Sequence, residues 1–414
     1  MKNLLVLIFL IILGSGQSEQ TEKIYSLDIQ EYEFLIDGFD WDPEPYKFSS
    51  TVIDSVIPSR GNQYAAWDFS YIGDIEMMHK IWDSQARPRP GLTEVEQDSF
   101  ALFERKNATD YILEQAKNHQ VVIINEGHHM PQHRVFTTQL LDGLKKQGFK
   151  HLGLETYFGG SEADSILQHN GYPILRSGYY TKEPQFGNLI REAHQNGFQV
   201  FGYESEGHED GKGREINQAK NIQAYMEENP GEKILIHCGF SHGYEGDIST
   251  QWEKAMAGRL KEFTGIDPLT INQVIYSERS KREFENPYYQ LTDLLEPSVF
   301  VNEKGEVFGE YRHGGWFDLA VFHPRSKTYS RPSWMIYGNR KEVQVSFEDE
   351  ELVCPCLVLA YKKGEQIGTA VPYDIQESND KTAKLVLDGS DYEIIITNEK
   401  GESYKSTLTT AKGQ

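Results

Sequence analysis

Short apolar runs alternate with longer amphipathic stretches through the middle of the chain. The runs predict buried strands, and apolar residues at roughly every third or fourth position predict helices between them. This alternation predicts an α/β fold, a mainly parallel or mixed sheet flanked by helices. The predicted strands are 121–124, 151–154, 199–203, 233–238, 270–276 and 317–322.

Helix start and stop signals lie between these strands. Pro131 near the start and Gly148 just past the end delimit a helix over 131–147. Asp247 or Ser249 can cap a helix that reaches Phe263. The other predicted helices are 94–116, 186–196 and 214–228.

The pattern changes on both sides of this α/β segment, which we assign to 96–330. Residues 17–95 are aromatic, acidic and rich in turns, and we expect an arm packed on the α/β domain. Residues 331–414 contain short β-rich runs separated by turns, which predict a small all-β domain, sandwich-like in form. Neither flanking region shows a catalytic motif.

The N-terminus has the form of a secretory signal peptide. Lys2 precedes the apolar run Leu4–Leu13, and Gly14-Ser15-Gly16 follows it. We therefore expect residues 1–16 to be cleaved and the protein to be secreted or periplasmic. No Cys stands at the cleavage point, which argues against a lipoprotein, and no later stretch predicts an integral membrane segment.

Composition limits the partners and the covalent framework. The net charge of -22 argues against nucleic acid or an anionic membrane, and leaves a small-molecule or peptide substrate. The three cysteines cannot form a disulfide scaffold. Cys238 lies in an apolar strand, as core cysteines do. Cys354 and Cys356 could form a local disulfide or remain thiols.

Polar residues follow directly after several predicted strands. The four residues that share this placement are Glu126, Glu155, Glu204 and His242. Because the carboxyl ends of parallel strands meet at one edge of a sheet, where ligands bind in such folds, we expect a common site there.

The residue types at these strand ends suit acid/base hydrolysis. Glu126-x-x-His129 with Glu155 and His242 supplies two carboxylates and two imidazoles, with His129 as general base and His128 as a neighbour. The same groups could bind a divalent ion, Zn or Mn, through His129, Glu155 and His242.

Two arginines and a glutamate are candidates for binding the substrate at this edge. Arg134 and Arg214 begin helices beside the acidic strand ends, and Glu204 follows a strand. The arginines could hold a substrate anion, or could form structural ion pairs with the glutamates.

A second nucleophilic motif lies at the end of strand 233–238. Gly239-Phe-Ser-His-Gly243 matches the nucleophile elbow, G-x-S-x-G, which would make the protein a serine hydrolase through Ser241. That motif requires a helix to begin at the serine, whereas Gly243, Gly246 and Asp247 delay the predicted helix by several residues and leave Ser241 poorly placed.

An ordered series of short motifs connects these strand ends. They are Asn125-Glu-Gly-His-His129, Arg134, Leu154-Glu155, Phe201-Gly-Tyr-Glu204, Arg214 and Ile236-His-Cys-Gly-Phe-Ser-His242. The series resembles the erythromycin esterase-like/ChaN-like superfamily, which includes the TraB and Tiki proteins. The resemblance implies an α/β fold with a hydrolytic centre at positions 126, 129, 155 and 242. Tiki relatives are metal-dependent proteases and ChaN relatives bind haem, so a haem- or ligand-binding protein is the alternative.

Overall fold

The computed structural model of the protein describes residues 24–36, 45–158, 160–204, 210–249, 251–309, 314–327, 331–348 and 352–410. The expected signal peptide lies outside these ranges. The described part of the N-terminal region contains β1 (Ile24–Leu27), β2 (Gln30–Glu31), α1 (Ser49–Thr51), α2 (Ile57–Arg60), α3 (Asn62–Tyr71) and α4 (Ile75–Trp82), with a π-helical stretch at Val52–Val56.

Strands and helices alternate in the middle of the chain, as the hydrophobic pattern predicts. In chain order they are α5 (Glu94–Phe100), β3 (Phe103–Asn107), α6 (Ala108–Ala116), β4 (Val121–Glu126), α7 (Pro131–Lys146), β5 (Phe149–Leu154), α8 (Ser161–Asn170), α9 (Pro184–Gln195), β6 (Gln199–Gly202), α10 (Gly211–Glu228), β7 (Lys233–Gly239), β8 (Glu245–Gly246), α11 (Met256–Thr264), β9 (Leu269–Tyr276), α12 (Pro287–Gln290), β10 (Ser298–Asn302), β11 (Gly315–Trp316) and β12 (Leu319–Phe322).

An eight-stranded mixed sheet forms the centre of this segment, in the order β3-β10-β12-β9-β4-β7-β5-β6. The strands from β12 to β6 are parallel, and β10 and β3 join antiparallel at one edge. Helices α6, α7 and α9 bury one face of the sheet, and α10 and α11 bury the other. The predicted α/β fold is confirmed, and the ends of β4, β5 and β7 lie side by side.

Two predicted helices are wrong in their bounds. The helix expected over 94–116 is interrupted by β3, which pairs with β10 at the sheet edge and separates α5 from α6. The helix expected from Asp247 or Ser249 begins only at Met256, because Ser249 pairs with Glu253, whose main-chain nitrogen donates to Ser249 O at 2.9 Å.

Two facing sheets make up the C-terminal region, as the β-rich texture predicts. Its strands are β13 (Lys341–Phe347), β14 (Cys356–Lys362), β15 (Asp374–Ser378), β16 (Thr382–Leu387), β17 (Tyr392–Asn398) and β18 (Ser403–Leu408). The sheets have the orders β1-β13-β16 and β15-β14-β17-β18-β2, and their facing side chains share one hydrophobic core. The first strands of the chain therefore complete the C-terminal sheets, which the sequence pattern did not indicate.

All three cysteines are free thiols. Cys238 is buried and free, as expected for a core cysteine. Cys354 and Cys356 are thiols whose Sγ atoms lie 3.3 Å apart. Among the helices of the described ranges, none combines the length and apolarity needed to cross a membrane.

Candidate active site

Glu126, the last residue of β4, is the centre of a buried charged cluster. Arg134 binds it with two nitrogens, Nε at 2.6 Å from Oε2 and Nη2 at 2.9 Å from Oε1. His128 Nδ1 lies 2.9 Å from Oε1, and His237 Nε2 lies 2.9 Å from Oε2. Burial alone would raise the pKa of Glu126, but Arg134 and the two histidines outweigh it and hold this pKa well below its usual value.

Arg134 is completely buried and serves two carboxylates. Its Nη1 donates to Glu183 at 3.0 Å, and its Nη2 also donates to the main-chain oxygen of His128 at 2.7 Å. Glu183 caps α9 by accepting from Gln185 and Phe186. Of the two alternatives for Arg134, the structure therefore shows the structural ion pair. A guanidinium that solvent does not reach is not placed to bind a substrate.

A second cluster forms around Glu155, one residue past β5. Its Oε2 accepts from the main-chain nitrogen of Gly239, and its Oε1 accepts from Arg214, which also binds Glu204. His242 Nε2 lies 3.4 Å from Glu155 Oε1. Burial acts to raise the pKa of Glu155, but His242, His128 and Arg214 together lower it to about 2. Arg214 is partly exposed, so it can contact both this cluster and a ligand.

His242 lies between two carboxylates. Its Nδ1 is 2.7 Å from Glu215, a fully buried residue of α10 whose other oxygen accepts from the Met256 nitrogen. Burial opposes the charged imidazolium, yet Glu155 and Glu215 outweigh burial and raise the pKa of His242. Trp252 stacks on the ring with centroids 5.3 Å apart.

His128 stands between the two clusters. Its ring binds Glu126 through Nδ1 and stacks on Tyr180, with centroids 4.0 Å apart. A Cβ at Gly239 would lie 2.5 Å from His128 Nε2 and 3.1 Å from Glu155 Oε2. The imidazole edge and the second carboxylate therefore share the space above Gly239, and only glycine leaves room for both.

His129, the expected general base, has a different environment. Its ring stacks on Trp82 with centroids 3.7 Å apart, and Trp82 also faces Phe240. In the described part of the chain, no hydrogen bond joins His129 to Glu126 or Glu155. Burial, with smaller effects from neighbouring charged groups, lowers the pKa of His129 well below its usual value. The histidine beside the carboxylates is His128, one residue earlier, because the chain turns at the end of β4.

The expected metal ligands do not form a metal site. Within the described ranges, no three His, Cys, Asp or Glu side chains are grouped to hold a metal ion. His129 is stacked away on Trp82. Arg214 lies against Glu155 and places Nη1 3.1 Å from His242 Nε2, so a cationic guanidinium contacts both of the other expected ligands. Zn or Mn does not fit this donor set.

Ser241 does not have the context of a nucleophile elbow. It lies in a turn that follows β7, and the next helix starts only at Met256. Phe240, before it, has a φ of 34° and is held by Glu126 O and Asn125 Nδ2. The strand-turn-helix geometry required by G-x-S-x-G is therefore absent from this described segment, as the delayed helix start predicts.

Several residues in the two clusters and beside them lie outside the predicted set. They are Trp82, His128, Glu183, Glu215 and His237. Trp82 comes from α4, in the N-terminal region that showed no motif. Asp83, the next residue, fixes this helix end by binding the Arg279 side chain and the Ser280 nitrogen.

No family model and no curated protein matches the sequence. Solved structures with similar regions include the type III effector HopBA1, at 13% identity over 54% of this chain and 95% of that one, with a TM-score of 0.32. RRSP, a MARTX toxin effector domain from Vibrio vulnificus, matches at 16% identity over 61% of this chain and 46% of its own, with a TM-score of 0.30.

A third similar structure is the C-terminal region of Pasteurella multocida toxin, described as having a thiol-protease-like catalytic triad. It matches at 10% identity over 84% of this chain and 50% of its own, with a TM-score of 0.29. This chain therefore spans about half of the two toxin structures and nearly all of HopBA1. The proposals below rest on the sequence and the site geometry alone.

Proposed function

We propose that this protein is a hydrolase of an ester, lactone or amide bond, with His128 as its general base. The observation that carries the proposal is the contact of 2.9 Å between His128 Nδ1 and Glu126. A carboxylate at that distance accepts a hydrogen bond from the Nδ1–H group. Nε2 then carries no hydrogen and can accept a proton. Nε2 is directed over Gly239, toward Glu155.

The reaction follows from these positions. His128 Nε2 takes a proton from a water molecule whose oxygen attacks the acyl carbon of the substrate. The tetrahedral intermediate carries a negative charge, and Arg214 is the nearby, partly exposed cationic group able to stabilise it. His128 then returns its proton to the leaving oxygen or nitrogen. The products are a carboxylic acid and an alcohol or amine.

Membership of the erythromycin esterase-like/ChaN-like superfamily belongs to the same proposal. The motif series supports it, and Glu126, Glu155 and His242 lie at strand ends where that resemblance implies a centre. The pattern of residues 1–16 supports export of the mature enzyme. The site as described uses no metal ion in any step.

A substrate panel with three alanine variants tests the proposal. The panel contains chromogenic esters, lactones and peptides. His128→Ala should lower kcat/KM by about 10²–10⁴-fold on whichever class is hydrolysed, the usual contribution of a general base. His129→Ala and Ser241→Ala should retain most activity, and EDTA should leave the rate unchanged.

The matched variants also separate the alternatives. Full activity in His128→Ala would overturn the proposal, provided that its thermal unfolding matches the wild type. Loss of activity in Ser241→Ala with retention in His128→Ala would indicate a serine hydrolase. No hydrolysis of any class, together with a Soret band on addition of haem, would favour the binding protein.

A further inference from the structure

The edge of the main sheet nearest the site is bordered by a groove. Strand β6 ends the sheet, and among the described strands it pairs only with β5. The groove has a volume of about 630 Å³. Phe158, Gly160 and Asp164 line one side, and Val200 and Gly202 of β6 line the other.

The backbone of β6 presents hydrogen-bonding groups to this groove. The main-chain N–H of Glu155 donates to His237 O of β7. Main-chain groups alternate in direction along a strand, so the N–H and C=O of Leu154, the preceding residue in β5, point toward β6. When one residue of a parallel pair directs its main-chain N–H and C=O toward the neighbouring strand, the residue opposite it directs its own N–H and C=O away from the first strand. Gly202 lies opposite Leu154 and Val200 opposite Leu152, so Val200 and Gly202 point their main-chain groups outward.

The carboxyl end of β6 lies beside the candidate active site. Gly202, the last residue of β6, is opposite Leu154, the residue before Glu155. Glu204, two residues past β6, lines the groove and binds Arg214, which in turn binds Glu155.

We propose that the outer edge of β6 binds a polypeptide substrate in extended conformation and leads it to the active site. This proposal rests on the proposed function and narrows its substrate to a peptide. Main-chain pairing with an edge strand is a general mode of peptide recognition. The four residues of β6 span roughly 13 Å, which is enough for about four residues of substrate. Asp164, which lines the groove, and the net charge of -22 favour a segment that carries Lys or Arg.

A binding experiment tests the edge without relying on turnover. The full-length His128→Ala protein is titrated into a fluorescein-labelled ten-residue peptide of alternating Lys and Thr, and anisotropy gives Kd. Adding Val200→Pro removes the outward N–H, a change that edge strands tolerate, and should weaken binding about tenfold or more. Adding Val200→Thr keeps the N–H and should change Kd by less than about twofold.

Two further measurements complete the test. The same peptide with N-methyl groups at alternate residues keeps its charge but cannot pair, so it should bind at least about tenfold more weakly. In the active background, Val200→Pro should lower hydrolysis of the same peptide at least about tenfold relative to Val200→Thr. If Val200→Pro fails to fold, the N-methyl comparison on His128→Ala decides.

The possible outcomes distinguish peptide binding at the β6 edge from the proposed hydrolysis. Equal affinity for the plain and N-methylated peptides, or for Val200→Pro and Val200→Thr, overturns peptide binding at β6 while ester hydrolysis can stand. Peptide binding that Val200→Pro weakens, without hydrolysis of any substrate, supports the edge and overturns the proposed function. Self-association that Val200→Pro abolishes would show that the edge pairs with a second copy, and it overturns the peptide proposal.

Discussion

Replacing Arg134 by methionine should destabilise the protein strongly. Arg134 is fully buried and joins two buried carboxylates, Glu126 and Glu183. Methionine has a similar length but no charge, so both carboxylates would lose their main cationic partner. Breaking a buried ion pair by removing one member costs about 3–5 kcal/mol. In a protein of this size that corresponds to a fall in Tm of roughly 3–6 °C.

The loss of stability in Arg134→Met should become smaller as the pH is lowered. In the wild type, the depressed pKa of Glu126 gives a stabilisation that is complete above its unfolded pKa and is lost as pH falls through the folded pKa. Without Arg134, burial favours protonation, so the ionised Glu126 destabilises the variant at neutral pH and less so in acid. The difference in Tm between wild type and variant should therefore shrink from about pH 7.5 to about pH 5.

Differential scanning calorimetry at these two pH values measures the effect. Arg105→Met is the matched control, since Arg105 is exposed on β3 and its loss should change stability by less than about 0.5 kcal/mol. A fall for Arg134→Met no larger than for Arg105→Met would refute the reasoning. So would a deficit that stays constant as the pH is lowered.

Three shorter predictions concern the site. Gly239→Ala places a Cβ 2.3 Å from His128 Cε1, so it should lower kcat by about 10²-fold or more; unchanged kcat would contradict the crowding. Trp82→Ala should lower Tm and Trp82→Phe should restore most of the loss, because the ring packs on His129 and Phe240; equal Tm values in both variants would exclude this packing role. Glu155→Gln should lower the pKa of His242, followed by NMR titration of its ring protons, and an unmoved titration would show that Glu155 does not raise it.

The alternation of strands and helices predicted the part of the site that depends on topology. Parallel strands of one sheet end at one edge, so Glu126, Glu155 and His242 were expected near each other, and Glu155 and His242 are indeed in contact. His237 could also have been predicted as a site residue, because it is a polar residue inside the apolar run 233–238. In the structure its register partner is Ile124 of β4.

The choice between His128 and His129 could not be made from spacing. Both follow the end of β4, and the direction of the turn at Gly127 decides which ring meets Glu126. The contact of Trp82 with His129 could not be predicted either, because it joins segments far apart in the chain. Such contacts depend on how separate elements pack, and local periodicity contains no information about them.

The two arginines connect these burial effects to the proposed chemistry. A carboxylate as deeply buried as Glu126 would take up a proton if it had no cationic partner. Arg134 keeps it ionised, and only the ionised form has both oxygens free to accept hydrogen bonds, one of them from His128 Nδ1. Arg134 therefore sets which nitrogen of His128 can act as a base, although it never reaches solvent. Arg214 has the corresponding relation to Glu155, but from a partly exposed position, so this second arginine can also meet the substrate. In the proposed reaction, one arginine orients the base and the other faces the charge that forms during hydrolysis.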